Sequence, residues 1–111
     1  MTCPCGSAQP YDDCCGPLHR GEAKAETPER LMRSRYSAFA VGDAAYLLRT
    51  WHLATRPERL ELEPGVRWTG LTIVRAEGRI VEFLARSSQG EQHEVSRFAR
   101  QDGDWVYVEG V

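Results

Sequence analysis

Residues 66–109 read VRWTGLTIVRAEGRIVEFLARSSQGEQHEVSRFARQDGDWVYVE, and three tight turns divide them into four short runs. Val66 to Arg75 is rich in β-branched and aromatic side chains, which suit a pleated, half-buried surface. Glu77-Gly78 turns the chain into Arg79 to Arg86, where Val81, Phe83 and Ala85 alternate with Glu82, Leu84 and Arg86. Ser88 to Gly90 turns it again into Glu91 to Arg100, and Asp102-Gly103 makes the last turn before Trp105 to Glu109. Four short runs joined this closely describe an antiparallel meander.

Working back from the meander, residues 54–65 contain Pro57, Pro64 and Gly65 and read as irregular connection. Before them lie two helices. Thr27 can cap the first, Pro28 suits its first turn, and Glu29 complements the dipole. Leu31, Met32, Tyr36, Phe39 and Ala40 then recur at helical spacing until Gly42, a natural C-terminal stop. Asp43 is placed to cap a shorter helix carrying Tyr46, Leu47 and Trp51. Helices followed by strands define an α+β class, with the helices packed on one face of a curved antiparallel sheet. Residues 18–26 are polar and read as a linker, and residues 1–17 hold every cysteine in a loop punctuated by Gly6, Pro10, Gly16 and Pro17.

The totals bound the function. A chain of 111 residues makes one domain with at most a small appendage. Such a chain buries only about two-thirds of its unfolded surface, so a covalent or metal staple at one end matters. No apolar run approaches the ~20 residues that span a bilayer. The N-terminus has neither a basic start nor an apolar stretch, so a cytoplasmic location and no membrane contact are expected. The formal net charge is -2, and four zinc-bound thiolates with their ion take it to about -4. That sign opposes a partner held through phosphates, so nucleic acid is not expected. Thirteen of the 14 basic residues are Arg, which GC-rich codon usage explains more simply than an anion-binding surface.

The cysteines are spaced C-x-C-(x)8-C-C over Cys3, Cys5, Cys14 and Cys15. Disulfides fit poorly, because no export signal is present and neighbouring Cys14 and Cys15 would close a strained ring. Redox catalysis wants a low-pKa thiol at a helix N-terminus or in a C-x-x-C pair, and neither is visible. Metal binding wants soft ligands that a short loop can gather, and Zn²⁺ takes four thiolates tetrahedrally. The expected cofactor is therefore Zn²⁺ on Cys3, Cys5, Cys14 and Cys15, with backbone N–H groups of Gly6 and Ser7 supporting the sulfurs. A four-thiolate set leaves no open position, so the role is structural. His19 could replace Cys15 as fourth ligand, but an exposed linker histidine is the favoured reading.

At these residues the chain resembles a known motif. Cys3-Pro4-Cys5-Gly6-Ser7, Tyr11 and Cys14-Cys15-Gly16 are similar to the SEC-C zinc motif at the C-terminus of the SecA translocation ATPase. That motif takes Cys or His in its last position, which the resemblance assigns to Cys15. The SecA version is rich in lysine between its cysteine pairs, whereas Gln9, Pro10, Asp12 and Asp13 stand here. The resemblance therefore carries over the metal but not the SecA partners. Residues 27–39 (TPERLMRSRYSAF), Thr50-Trp51-His52, Val95-Ser96-Arg97-Phe98, Trp105 and Tyr107 extend it to the YchJ family. The family joins a SEC-C motif to a nuclear transport factor 2-like domain, and this implies a cone of helices wrapped by a strongly bent sheet. The implied division is a zinc knuckle over 1–17, a linker over 18–26 and the cone over 27–111.

Cones of this kind host enzymes and binding domains alike, so the fold does not decide the function. Candidate chemistry lies in His52, Glu82, His93, Glu94, Ser96 and Arg97, with Tyr36 and Trp51 as walls. His52 beside a carboxylate could act as a general base. Against this, Glu82 alternates with apolar Val81 and Phe83 and should point to solvent. Arg97 and Glu94 can pair with each other at little energetic gain. Tyr36 falls in the buried helical stripe, and Trp51, Trp68 and Trp105 supply apolar area to a small sheet. The reading favours a non-catalytic binding or adaptor module with a structural zinc and a protein or small ligand as partner. The alternative is a small-molecule-binding or weakly enzymatic cone using His52 and a nearby carboxylate.

Overall fold

The computed structural model describes residues 1–111. The four runs form one antiparallel sheet in the order β1-β2-β3-β4, with β1 at Trp68–Glu77, β2 at Ile80–Ser87, β3 at Gly90–Gln101 and β4 at Asp104–Gly110. Register shifts at Trp68/Gly70, Ile73/Arg75 and Arg97/Phe98 bend the sheet. Along β2, Val81, Phe83 and Ala85 are buried and the residues between them are half-exposed, as their alternation requires.

Three helices precede the sheet: α1 at Cys15–His19, α2 at Pro28–Val41 and α3 at Ala44–Arg49. Helix α2 starts where Thr27 Oγ1 accepts the Arg30 N–H at 3.1 Å and stops at Gly42, whose φ of 80° only glycine adopts without strain. Asp43 caps α3 by accepting the Tyr46 N–H at 3.0 Å. Leu31, Met32 and Tyr36 of α2 pack with Val81, Phe83, Ala85 and Phe98 of the sheet in the main core. A second cluster joins Leu18 to Ala38, Tyr46 and Leu47. No helix is long and apolar enough to cross a membrane.

Two local expectations change. Helix α3 ends at Arg49, and Trp51 leaves it to form an isolated bridge with Tyr107 of β4. The His52 N–H donates to the Tyr107 carbonyl and the Tyr107 N–H to the Thr50 carbonyl, both at 2.8 Å, so residues 50–52 cover the β4 edge. The cysteine segment is also more regular than its turn residues suggest. It holds a 3₁₀ turn at Tyr11–Asp13 and runs into α1, across the 17/18 position where a linker was expected to begin. Leu18 and His19 are buried there and tie this helix to the cone.

Candidate metal centre

All four cysteines are buried as free thiols, and their sulfurs lie within 4.8 Å of one another. The loop closes because the Cys3 N–H donates to the Gln9 carbonyl at 2.7 Å and the Tyr11 N–H to the Met1 carbonyl at 2.9 Å. Gly16 permits the tight return, since a Cβ there would lie 2.9 Å from the Tyr11 carbonyl oxygen. The sulfurs of Cys5 and Cys14 are 3.6 Å apart. A tetrahedron of Zn–S bonds of ~2.3 Å has edges of roughly 3.8 Å, so the spacing fits a tetrathiolate ion. It is far from a disulfide, which needs about 2.05 Å.

The Ser7 backbone N–H supports Cys5 Sγ as expected, and helix α2 adds support that the sequence reading did not foresee. Arg30 lays its guanidinium across two of the cysteine sulfurs, Nη1 to Cys15 Sγ at 3.4 Å and Nη2 to Cys14 Sγ at 3.6 Å. Ser37 Oγ meets Cys3 Sγ at 3.4 Å, and Ser7 Oγ meets Cys14 Sγ at 3.1 Å. Arg33 Nη1 donates to the Cys5 carbonyl at 2.9 Å. The Gly6 N–H donates to the Cys3 carbonyl at 3.3 Å instead of to a sulfur, which corrects its expected role. Residues 30, 33, 34 and 37 lie on one face at i, i+3, i+4 and i+7, and that face is turned to the knuckle.

The thiols interact strongly as a set. A hydrogen bond with Cys15 holds the Cys5 pKa down to about 4, and the same bond together with burial pushes Cys15 up. Burial also raises Cys14. Burial opposes charge on Arg30, yet hydrogen bonding and attraction to Cys15 raise its pKa overall. A fixed cation therefore sits where thiolate charge gathers. Replacing it with Met keeps the side-chain volume but removes both N–H···S contacts. Arg30→Met is expected to weaken metal binding ~10–100-fold in competition with a chromophoric chelator.

His19 is buried, not exposed, and both of its ring nitrogens are bonded to groups other than the sulfurs. It is 8% exposed, its Nε2 donates to the Ser34 carbonyl at 2.8 Å, and its Nδ1 bonds the Tyr11 hydroxyl at 2.6 Å. The carbonyl can only accept, so Nε2 carries the proton and Nδ1 accepts from Tyr11. Its ring lies 4.6 Å from that of Tyr46. With both nitrogens engaged, His19 pins the knuckle to α2.

The candidate acid–base residues of the alternative reading do not converge. His52 Nδ1 accepts the Ala54 N–H at 3.0 Å, and His52 does not line the cavity of the cone. Glu82 points to the outer face, bonded to His93 at 2.7 Å and near Arg75 at 3.7 Å. Arg97 pairs with Glu109 at 2.6 Å, because residues three apart on a strand face opposite sides and Glu94 is out of its reach. Glu94 and Ser96 do line the cavity, which measures about 230 Å³ between α2, Trp51 and the inner face of the sheet. Arg35, which the sequence reading placed in no functional set, lines it as well. The cavity is not filled by Tyr36, Trp51 and Phe83; all three are walls.

Fold and cysteines together define a class: an α+β domain of the nuclear transport factor 2-like type with an N-terminal SEC-C cysteine cluster. Residues 27–110 match the family described as YchJ, middle NTF2-like domain, and residues 2–17 match the SEC-C motif. The chain belongs to the YchJ-type family whose relatives carry the name UPF0225 protein. A UPF0225 protein of Streptomyces coelicolor is 56% identical, with 97% of this chain and 93% of the relative covered. A UPF0225 protein of Deinococcus radiodurans is 54% identical, with 98% and 88% covered. The crystal structure of a SEC-C motif containing protein from Psychrobacter arcticus superposes with a TM-score of 0.79 at 30% identity, covering 98% of this chain and 81% of that one. The solution structure of a SEC-C motif containing protein from Rhodopseudomonas palustris gives 0.69 at 38% identity, covering 100% and 98%.

Proposed function

We propose that this chain is a non-catalytic binding module whose N-terminal knuckle, residues 1–17, is held by a structural Zn²⁺ on Cys3, Cys5, Cys14 and Cys15. The observation that carries the metal is the set of four buried sulfurs within 4.8 Å, braced from outside by Arg30 and Ser37. Soft donors in a tetrahedral set favour zinc. When bound, the ion supplies cross-linking and no reaction, because four protein ligands leave it no open position. The non-catalytic reading is supported by the separation of His52 from Glu82 and Glu94. The partner is a protein docking on the outer surface or a small molecule in the cone, and the location is cytoplasmic.

Elemental analysis tests the metal. Reduced, unchelated protein is expected to carry about one zinc per chain, and Cys14→Ser to carry almost none. Wild-type protein purified without zinc would overturn the proposal.

A further inference from the structure

Register places an unusual set of side chains inside the cone. On β3, Gln92, Glu94 and Ser96 stand opposite Ala85, Phe83 and Val81 of β2, so all three share the inner face with that apolar row. Gln92 is exposed, Glu94 is half-buried and only Ser96 is fully buried. Ser96 Oγ donates to Glu94 Oε2 at 2.5 Å, which leaves Glu94 Oε1 free for another donor.

Arg35 faces the same space from α2. It is 4% exposed, and its hydrogen-bond partners are a carbonyl and a hydroxyl, with no carboxylate among them. Its Nη1 donates to the Leu47 carbonyl at 2.8 Å and to Thr50 Oγ1 at 2.7 Å. The guanidinium carbon sits 5.1 Å from the Trp51 ring centre and 4.7 Å from that of Tyr107, both walls of the cavity. These contacts orient the guanidinium without a direct ion pair; the one carboxylate whose charge acts on it is Glu94, on the same cavity. Burial lowers its pKa to about 10, so it remains a cation at neutral pH. The Trp51 indole Nε1–H is buried with no partner at all.

The cavity thus presents one cation, one carboxylate and aromatic walls from Trp51, Trp68, Phe83 and Tyr107. A purely anionic guest would meet Glu94, and a purely cationic one Arg35. A dry apolar cavity of ~150 Å³ admits benzene, so about 230 Å³ holds a ring with a short polar group. We infer that the cone binds a small zwitterion with a flat apolar body, an aromatic α-amino acid, with its carboxylate at Arg35 and its ammonium at Glu94. This rests on reading the cone as a binding module and is independent of the metal assignment.

The test uses the zinc-loaded full chain and three probes: L-phenylalanine, phenylacetate, which lacks the ammonium, and phenethylamine, which lacks the carboxylate. Indole N–H resonances of ¹⁵N-labelled protein are followed, with Trp105, whose Nε1 donates to the Glu26 carbonyl outside the cavity, as internal control. Phenylalanine is expected to shift Trp51 and Trp68 and to bind at least ~10-fold tighter than either analogue, the value of one charge-assisted contact. Glu94→Gln should abolish its advantage over phenylacetate without disturbing the fold. Arg35→Lys should weaken it ~10-fold, and Glu94→Gln decides the matter if that buried variant fails to fold. Phenylacetate binding as tightly as phenylalanine, or no shift at Trp51 and Trp68 with millimolar probe, would overturn the assignment. Phenylalanine recovered chemically altered would instead overturn the non-catalytic reading while upholding the site.

Discussion

Stripping the metal from reduced protein is expected to disorder residues 1–17 and leave β1 to β4 folded. The knuckle's only apolar cluster is its four cysteines with Tyr11 packed against them, so it has no core of its own. Metal binding is then its folding energy, roughly 10 kcal/mol or more in isolated zinc modules. The cone keeps a separate core of α2 against the sheet. Disorder should stop near Leu18, because Leu18 packs with Ala38, Tyr46 and Leu47 on the cone side. Amide spectra before and after chelation read this directly. Collapse of residues 2–17 to random-coil positions with retained dispersion across β2 and β3 is the expected pattern. Loss of the sheet signals would show that knuckle and cone unfold as one unit.

His19→Ala is expected to separate docking from ligation. The substitution removes the hydrogen bonds to Tyr11 and Ser34 and the contact with the Tyr46 ring. It also leaves the Tyr11 hydroxyl without its partner and a space where the imidazole was. These losses together cost about 2–4 kcal/mol. Zinc content should stay at about one per chain, since no sulfur is touched, while the denaturation midpoint falls. A variant that loses its zinc along with its stability would make His19 part of the ligand set.

The meander was legible because its information is local. Glu77-Gly78 and Asp102-Gly103 are turn pairs, and the β2 alternation shows which face is buried. The clustering of the four cysteines was legible for the same reason, since two close cysteine pairs need no distant partner to be recognised. The supporting residues were not. Arg30, Arg33, Ser34 and Ser37 read as the polar face of an amphipathic helix, and nothing nearby in sequence says that the knuckle covers that face. His19 looked like a linker residue because its two partners come from opposite sides, Tyr11 before it and Ser34 after it.

Strand β3 posed the opposite difficulty. Glu91-Gln92-His93-Glu94 is polar on both faces, so periodicity cannot orient it, and pairing with β2 decides which side chains enter the cone. Arg35 was hidden because a charged residue at a helix position next to Tyr36 ordinarily reaches solvent. Here Leu47 and Thr50 of the next helix turn capture its guanidinium, and Trp51 and Tyr107 cover it. His52 is placed by the same pair of residues: the bridge from Trp51 to Tyr107 carries the chain along the β4 edge, away from the cavity that the acid–base alternative required His52 to face.

X-ray absorption at the zinc edge of the purified protein tests the central claim most directly. The account predicts a single shell of four sulfurs at ~2.3 Å with no nitrogen or oxygen neighbour. A shell containing a light atom would contradict it: an imidazole would mean an incomplete thiolate set, and a water would mean a site open to chemistry.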